Sequence, residues 1–323
     1  MASDDISIAT PTSACLTMST QPSLPESSQK SFLFYGEIEN FETLTPVLKS
    51  IHIKKIAVMA ITERGIKITC EEENRTVQAT VFVEKGLFTR YEMKNEKNPE
   101  VVSFRMIDLL NALAILFPNS SKQKSKISRS LLKIKYENIE RIKLQVINEN
   151  HSAMAYIQTF NLQQSLIVFS MSSVNKIILD VSVLIDFWKC ADTTSSRLHL
   201  KILDSDPWFE MATDSNRGSF LQRVSAHSVH VEHYECSVPL EEHYEMSAMH
   251  FTLRPLLLSS KVSIAMDSNG LLCLQFVIRL DDSSGDFLES LRNHPDDINQ
   301  KSLAISSDCK KCFVEFYIVP CVD

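Results

Sequence analysis

Apolar and polar positions alternate along most of this chain with the two-residue period of strands buried on one face. At a few places the period changes to the three-to-four spacing of an amphipathic helix. Over residues 249–280, MHFTLRPLLLSSKVSIAMDSNGLLCLQFVIRL, the pattern predicts a strand, a short helix and the first strands of a meander that CFVEFYIVP (312–320) completes. The same order occurs earlier. VVSFRMIDLLNALAILF (101–117) predicts a strand running into an apolar helix, and SLLKIKY (130–136), RIKLQVIN (141–148) and SAMAYIQTF (152–160) predict three strands. A further strand and helix precede each unit: GEIENFETLTPVLKSI (36–51) leads into IKKIAVMAIT and GIKITCEE, and VNKIILDVSVLIDFWKCAD (174–192) leads into RLHLKIL and WFEMATD. The chain therefore reads as two tandem copies of one α+β unit.

Local signals sharpen some boundaries. Phe41, Leu44, Val47 and Leu48 recur at helical spacing, and Asn40 is a suitable cap for a helix over 40–51. Pro46 fits that helix only if it starts nearer Thr45, because proline is tolerated in the first turn. Val58, Ala60, Ile66, Ile68 and Cys70 alternate around Glu63, Arg64 and Gly65, a hairpin whose turn uses glycine for its positive φ. Residues 1–31, rich in Ser, Thr and Pro, carry too little apolar surface to offset ordering entropy and predict a disordered tail. The expected organisation is a first domain over 32–160, a connector over 161–173 and a second domain over 174–323. A polar insertion, residues 281–311, interrupts its last hairpin.

Composition narrows the class. At 323 residues the chain exceeds the ~250–300 at which one core stops growing, which suits two domains. Hydrophobic residues at 44% and charged residues at 23% are ordinary for a globular protein, and no apolar run reaches the ~18 residues of a membrane span. Asp4 and Asp5 stand where a secretory signal carries basic residues, so an intracellular protein without membrane attachment is expected. The eight cysteines (Cys15, Cys70, Cys190, Cys236, Cys273, Cys309, Cys312 and Cys321) lack the density of a disulfide scaffold, and reduced thiols are expected. A net charge of −7 argues against coating DNA with the whole surface, so any nucleic-acid contact needs a local basic lining.

The paired strand–helix–meander units, with VNKIIL at 174, SSKVSIAMDSNGLLCLQFVIR at 259 and CFVEFYIVP at 312, resemble the PCNA-like DNA sliding-clamp superfold. LKSI followed by GIKITCEEENRTVQATVFVEKGLF in the first half supports the likeness. Within that superfold the words are similar to the Rad-one family, one subunit of the heterotrimeric DNA-damage checkpoint clamp known as the nine-one-one complex. The resemblance implies tandem clamp domains with helices on the inner face of a ring and antiparallel sheets on the outer face. It implies a nuclear, non-enzymatic subunit that is loaded around double-stranded DNA at damage sites. The implied partners are a Rad-nine-type and a Hus-one-type subunit and a checkpoint clamp loader ATPase. No Gly-rich phosphate loop occurs among the six glycines, so ring opening is left to that external ATPase.

The same resemblance nominates residues. An edge strand comprising Ser152, Ala153, Met154, Ala155, Tyr156 and Ile157 would pair with a neighbour's strand equivalent to Gly218, Ser219, Phe220, Leu221, Gln222 and Arg223. Two different edges make a head-to-tail contact that closes into a ring. Cations facing the hole would be Lys49, Lys54, Lys55, Lys122, Lys124, Lys126, Arg129, Lys189, Arg254 and Lys261, with the 122–129 loop the strongest group. The connector residues Leu166, Ile167, Val168 and Phe169 are candidates for docking a partner.

Catalytic readings are weaker. Metal-dependent 3′–5′ exonuclease chemistry needs converging carboxylates, whereas Asp204 with Asp206, Asp281 with Asp282 and Asp296 with Asp297 fall in expected turns and the insertion. His227, His230, His233 and Cys236, with His243 and His250 beyond, are zinc-ligand types. A spacing of three on a strand sends successive residues to opposite faces, so solvated histidines are expected and no metal is assigned. Cys309 and Cys312 form a lone CxxC without a second pair, and Cys312 is expected to begin the last strand. No cofactor is expected, and a homotrimeric replication clamp stands as a further alternative.

Overall fold

Both halves of the chain run through one order of elements. The first contains β1 (Phe34–Glu39), α1 (Leu44–Ser50), β2 (Ile56–Thr62), β3 (Gly65–Glu71), β4 (Val77–Glu84), β5 (Arg90–Met93), β6 (Glu100–Arg105), α2 (Met106–Leu116), β7 (Leu131–Asn138), β8 (Arg141–Ile147) and β9 (Ser152–Phe160). The second contains β10 (Asn175–Asp180), α3 (Val181–Cys190), β11 (Arg197–Ile202), β12 (Phe209–Ser215), β13 (Gly218–Val224), β14 (Val231–Glu235), β15 (Leu240–Glu245), α4 (Met246–His250), α5 (Leu253–Leu258), β16 (Lys261–Met266), β17 (Leu272–Arg279) and β18 (Lys311–Ile318). The computed structural model describes residues 32–39, 41, 44–96, 98–116, 130–138, 140–147, 152–161, 166–172, 174–192, 194–280 and 311–322. The predicted tail, the basic 122–129 loop and 281–310 of the predicted insertion lie outside the described residues.

Strand pairing repeats as well. Neighbours run β5-β1-β7-β8-β9 and β4-β3-β2-β6 in the first half, and β14-β10-β16-β17-β18 and β13-β12-β11-β15 in the second. The halves join where β18 pairs antiparallel with β4, from Phe313 opposite Phe82 to Ile318 opposite Val77. Together with the short pairing of Ser103 to Phe160 and Phe104 to Thr159, this produces one fourteen-stranded sheet beside a four-stranded one. The alternating sequence explains the layering, because every second side chain of a strand takes the same face. In β18 those residues are Cys312, Val314, Phe316 and Ile318, and all are buried.

Helices cover one side of these sheets. α1 packs on α2 and on α5, and α5 packs on α3, so the row α2-α1-α5-α3 crosses the boundary between halves. In α2 the residues Met106, Leu109, Leu110, Leu113 and Leu116 form the buried stripe of an amphipathic helix. Helix α1 starts at Leu44, which places Pro46 in its first turn, where a missing amide costs little. Gly65 has φ +149°, and a Cβ there would lie 2.2 Å from the Val83 carbonyl oxygen.

Three boundaries differ from those expected. The helix expected over 40–51 runs Leu44–Ser50, and its expected cap Asn40 lies outside the described residues. MHFTL, expected as a strand, is the end of α4 and the turn into α5; the strand before this helical segment is β15. Met246 and Met249, three residues apart, are both buried, a helical spacing that a strand would send to opposite faces. Lys311, expected inside the insertion, already pairs with Arg279 as the first residue of β18.

Candidate assembly and nucleic-acid interface

The internal β18–β4 pairing is an example of how one unit attaches to the next. By the repeat, β9 corresponds to β18 and β13 corresponds to β4. β13 is bonded on one side to β12 and ends its sheet. β9 is bonded to β8 along its length, and on its other side only Thr159 and Phe160 reach β6, so among the described residues Ser152–Gln158 present an unpaired edge. The candidate interface residues therefore sit on two unlike edges. Met154 (53% exposed) and Tyr156 (51%) carry apolar surface to the β9 edge, and Leu221 (46%) does so on β13. Ser152 and Ala153 are exposed, Ala155 is half-buried and Ile157 is buried.

Neighbouring side chains hold both edges in place. The Arg141 guanidinium lies 4.9 Å and the Lys143 ammonium 5.9 Å from the Tyr156 ring centroid, a cation–π clamp on the outer face of β9. On β13, the Phe220 ring packs 5.6 Å from Phe187 of α3, and the Gln222 amide donates to the Val183 carbonyl at 3.1 Å. Arg223 pairs with Glu210 of β12 at 2.7 Å. Gly218, with φ +143°, and Ser219 form the exposed start of the strand.

The cation candidates divide. Lys49 at the end of α1 and Lys55 just beyond it are exposed, with no carboxylate among the described residues in ion-pair range of either. Lys54 instead meets Glu73 at 2.6 Å, and Lys189 meets Asp186, one turn away on α3, at 3.0 Å. Arg254 of α5 donates from Nη1 to the Lys49 carbonyl at 3.3 Å, placing a cation at the negative C-terminal end of α1 and bridging the two halves. Lys261 is misplaced by the sequence reading for a helix-face role. On β16 it alternates with the buried Val262, Ile264 and Met266, so it projects from the opposite sheet face, where it pairs with Glu232 of β14. Lys122, Lys124, Lys126 and Arg129 lie outside the described residues. The solvent face of α2 carries no cation, with Ile107, Asn111, Ala114 and Ile115 exposed and Asp108 paired to Arg105 at 2.9 Å.

The connector runs along the seam between halves. Glu71 accepts from the Ile167 amide at 3.0 Å and from Gln78 Nε2 at 3.1 Å, while the same Gln78 nitrogen donates to the Ile167 carbonyl at 2.9 Å. Phe169 stacks on Tyr317 of β18 with ring centroids 5.3 Å apart. Leu166 is half-buried, and Val168, 89% exposed, projects away from the seam. Ile167 and Phe169, two of the docking candidates, are therefore engaged by the chain itself.

The acidic and metal candidates resolve differently. The Asp206 carboxylate accepts from the Ala226 amide at 2.6 Å, and this hydrogen bond holds its pKa below the usual carboxylate range, so it organises a loop. Asp281, Asp282, Asp296 and Asp297 lie outside the described residues. The histidine run disperses: His230 Nδ1 is 3.3 Å from Asp180 and His233 Nε2 is 3.8 Å from Glu235, while His250 packs against Trp188. Sequence spacing missed a different group. β11 and β15 place His199 directly opposite His243, and Glu241 lies diagonally from His199 on the same face. Burial, then the neighbouring His243, lower the His199 pKa. Cys312 is buried at the start of β18, and burial pushes its thiol up to about 12, far from thiolate chemistry.

The geometry defines a class. Two tandem units, one row of helices and sheets with unlike free edges form the PCNA-like clamp fold, and solved PCNA structures match it. PCNA from Thermococcus kodakaraensis is 13% identical with a TM-score of 0.62, over 89% of this chain and 100% of that one. PCNA from Entamoeba histolytica is 11% identical with a TM-score of 0.63, over 90% and 100%. More specifically, the family model described as "Repair protein Rad1/Rec1/Rad17" matches residues 33–278, and the chain belongs to that family. Cell cycle checkpoint protein RAD1 of Homo sapiens is 29% identical over 84% of this chain and 94% of its own length. The Caenorhabditis elegans homologue mrt-2 is 22% identical over 78% and 91%.

Proposed function

We propose that this chain is a non-enzymatic subunit of a heterotrimeric checkpoint clamp, a nuclear ring loaded around duplex DNA at damage sites to support checkpoint signalling and repair. The observation that carries the proposal is the internal β18–β4 pairing, with its repeat equivalents, Ser152–Gln158 of β9 and the outer side of β13, left as unlike unpaired edges among the described residues. Unlike edges favour a head-to-tail contact, and repetition of such a contact closes a ring. Each neighbour is a different clamp-like chain, one of Rad-nine type and one of Hus-one type, and a checkpoint clamp loader ATPase opens the ring. Family membership and the checkpoint names of the relatives support this assignment over a homotrimeric replication clamp.

On this reading the helix row lines the hole, and duplex DNA passes it without base readout because its contacts are to phosphate. Lys49, Lys55 and Arg254, exposed on or beside that row, together with the 122–129 loop, supply the charge. The test is loading of the assembled ring onto gapped DNA as salt is raised. Lys49→Glu with Lys55→Glu should lower the retained fraction and flatten the salt slope by about 0.9 for each phosphate no longer neutralised. Unchanged loading in that variant and in a charge-reversed 122–129 loop would remove these residues from the DNA path. Degradation of labelled DNA by the purified chain with Mg²⁺, abolished by one acidic substitution, would instead establish the exonuclease reading.

A further inference from the structure

His199 and His243 face one another across β11 and β15 on the solvent side of the four-stranded sheet, with ring centroids 4.1 Å apart. Glu241, two residues before His243, points to the same side, and the donor atoms of the three side chains all lie within 4.8 Å of one another. Among the described residues this is the group of three metal-ligating side chains whose donors converge. We propose that His199, His243 and Glu241 form a binding site for a borderline divalent cation, Zn²⁺ being the best match.

The donor set carries the choice of ion. Two imidazoles and one carboxylate suit zinc, copper or nickel; hard cations such as Mg²⁺ favour all-oxygen shells. Zinc bonds of about 2.0–2.1 Å in a tetrahedron separate donor atoms by roughly 3.3 Å, so the three groups need only tighten by side-chain rotation. Both imidazoles are half-buried and Glu241 is exposed, which leaves them room to turn and leaves a fourth coordination position open to solvent.

The backbone beneath is already ordered. β11 is held between β12 and β15, and the Cys321 amide donates to the His243 carbonyl at 2.7 Å on the outer side of β15. One feature opposes binding: Lys201 meets Glu241 at 2.8 Å. Exposed ion pairs of this kind are weak, so an arriving cation displaces the ammonium, and the lysine sets the affinity below what the three ligands alone provide. Asp214 on β12 adds negative charge near His199.

The test is Zn²⁺ titrated into the chelator-stripped, reduced full chain against a chromophoric competitor. His199→Ala and His243→Ala should each weaken binding at one site by about tenfold or more, at least the effect of disturbing a ligand's supporting partner. Glu241→Gln should weaken it less, Lys201→Met should tighten it, and His230→Ala should leave it unchanged. Circular dichroism and thermal midpoints of the metal-free variants verify that each is folded; Lys201→Met, which removes no ligand, tests the site independently of any fold defect. Zn²⁺ affinity unchanged in both folded histidine variants, or no Zn²⁺ taken up by the parent chain in excess metal, would overturn the proposal.

Discussion

Gly65 sits in a turn where an added side chain would meet the backbone of β4. Its φ of +149° and the Val83 carbonyl 2.2 Å from any added Cβ leave no room for alanine in the β2–β3 turn. Gly65→Ala should lower stability by on the order of 1–3 kcal/mol, read as a drop in denaturant midpoint at unchanged slope. Asp192, just after α3, accepts from the Thr194 amide at 2.8 Å and from the Thr194 and Ser215 hydroxyls at 2.7 Å each. These bonds lower its pKa to about 2. A depressed carboxylate stabilises the fold fully above its unfolded pKa of about 3.9 and loses that contribution as pH falls through its folded value. Between about pH 4 and about 2 the parent chain should therefore lose more stability than Asp192→Asn, as compared by denaturation at each pH. At this scale the sequence was legible where one residue answers a local need, as at Gly65. It was illegible at His199, whose partner arrives from a strand remote in sequence, and at Arg254, whose bond to α1 depends on how the halves pack.

Elements were readable wherever period and length agreed. The strand VVSFR followed by α2, and β10 followed by α3, appear as the alternation and helical stripe predict. MHFTL failed because so short a segment with apolar ends fits either period, and burial of Met246 and Met249 together on a helix decides it. Lys261 failed for a related reason: proximity to a helix in sequence says nothing about which sheet face a strand residue takes. The β9 and β13 edges belong to this scale. Replacing the two large exposed apolar residues of β9, Met154→Asp with Tyr156→Asp, puts charge on the strand and removes the aromatic surface that Arg141 and Lys143 clamp. The variant should stay folded as a monomer, because both side chains are half exposed, and its affinity for one neighbouring subunit should fall by about tenfold or more. Binding to the other neighbour, through β13, should be unchanged; pull-down with each partner separately reads both.

For the whole molecule, the clamp fold and the family wording are written in the chain: solved PCNA structures bear out the fold, and the family model bears out the family. The junction is not written there. β18 and β4 lie near opposite ends of the described chain, and no local pattern says that they pair; only the folded sheet reveals that one unit attaches to the next by edge strands. The repeat supplies the mode of closure, because an attachment used once inside the chain and available again at β9 and β13 favours a head-to-tail ring; family membership is what favours neighbours different from this chain. The most direct measurement is native mass spectrometry of the complex purified from cells through this chain. The expected species is a trimer containing one copy of this chain and one each of two other clamp-like chains. A trimer of three copies of this chain, or this chain recovered without clamp-like partners, would contradict it.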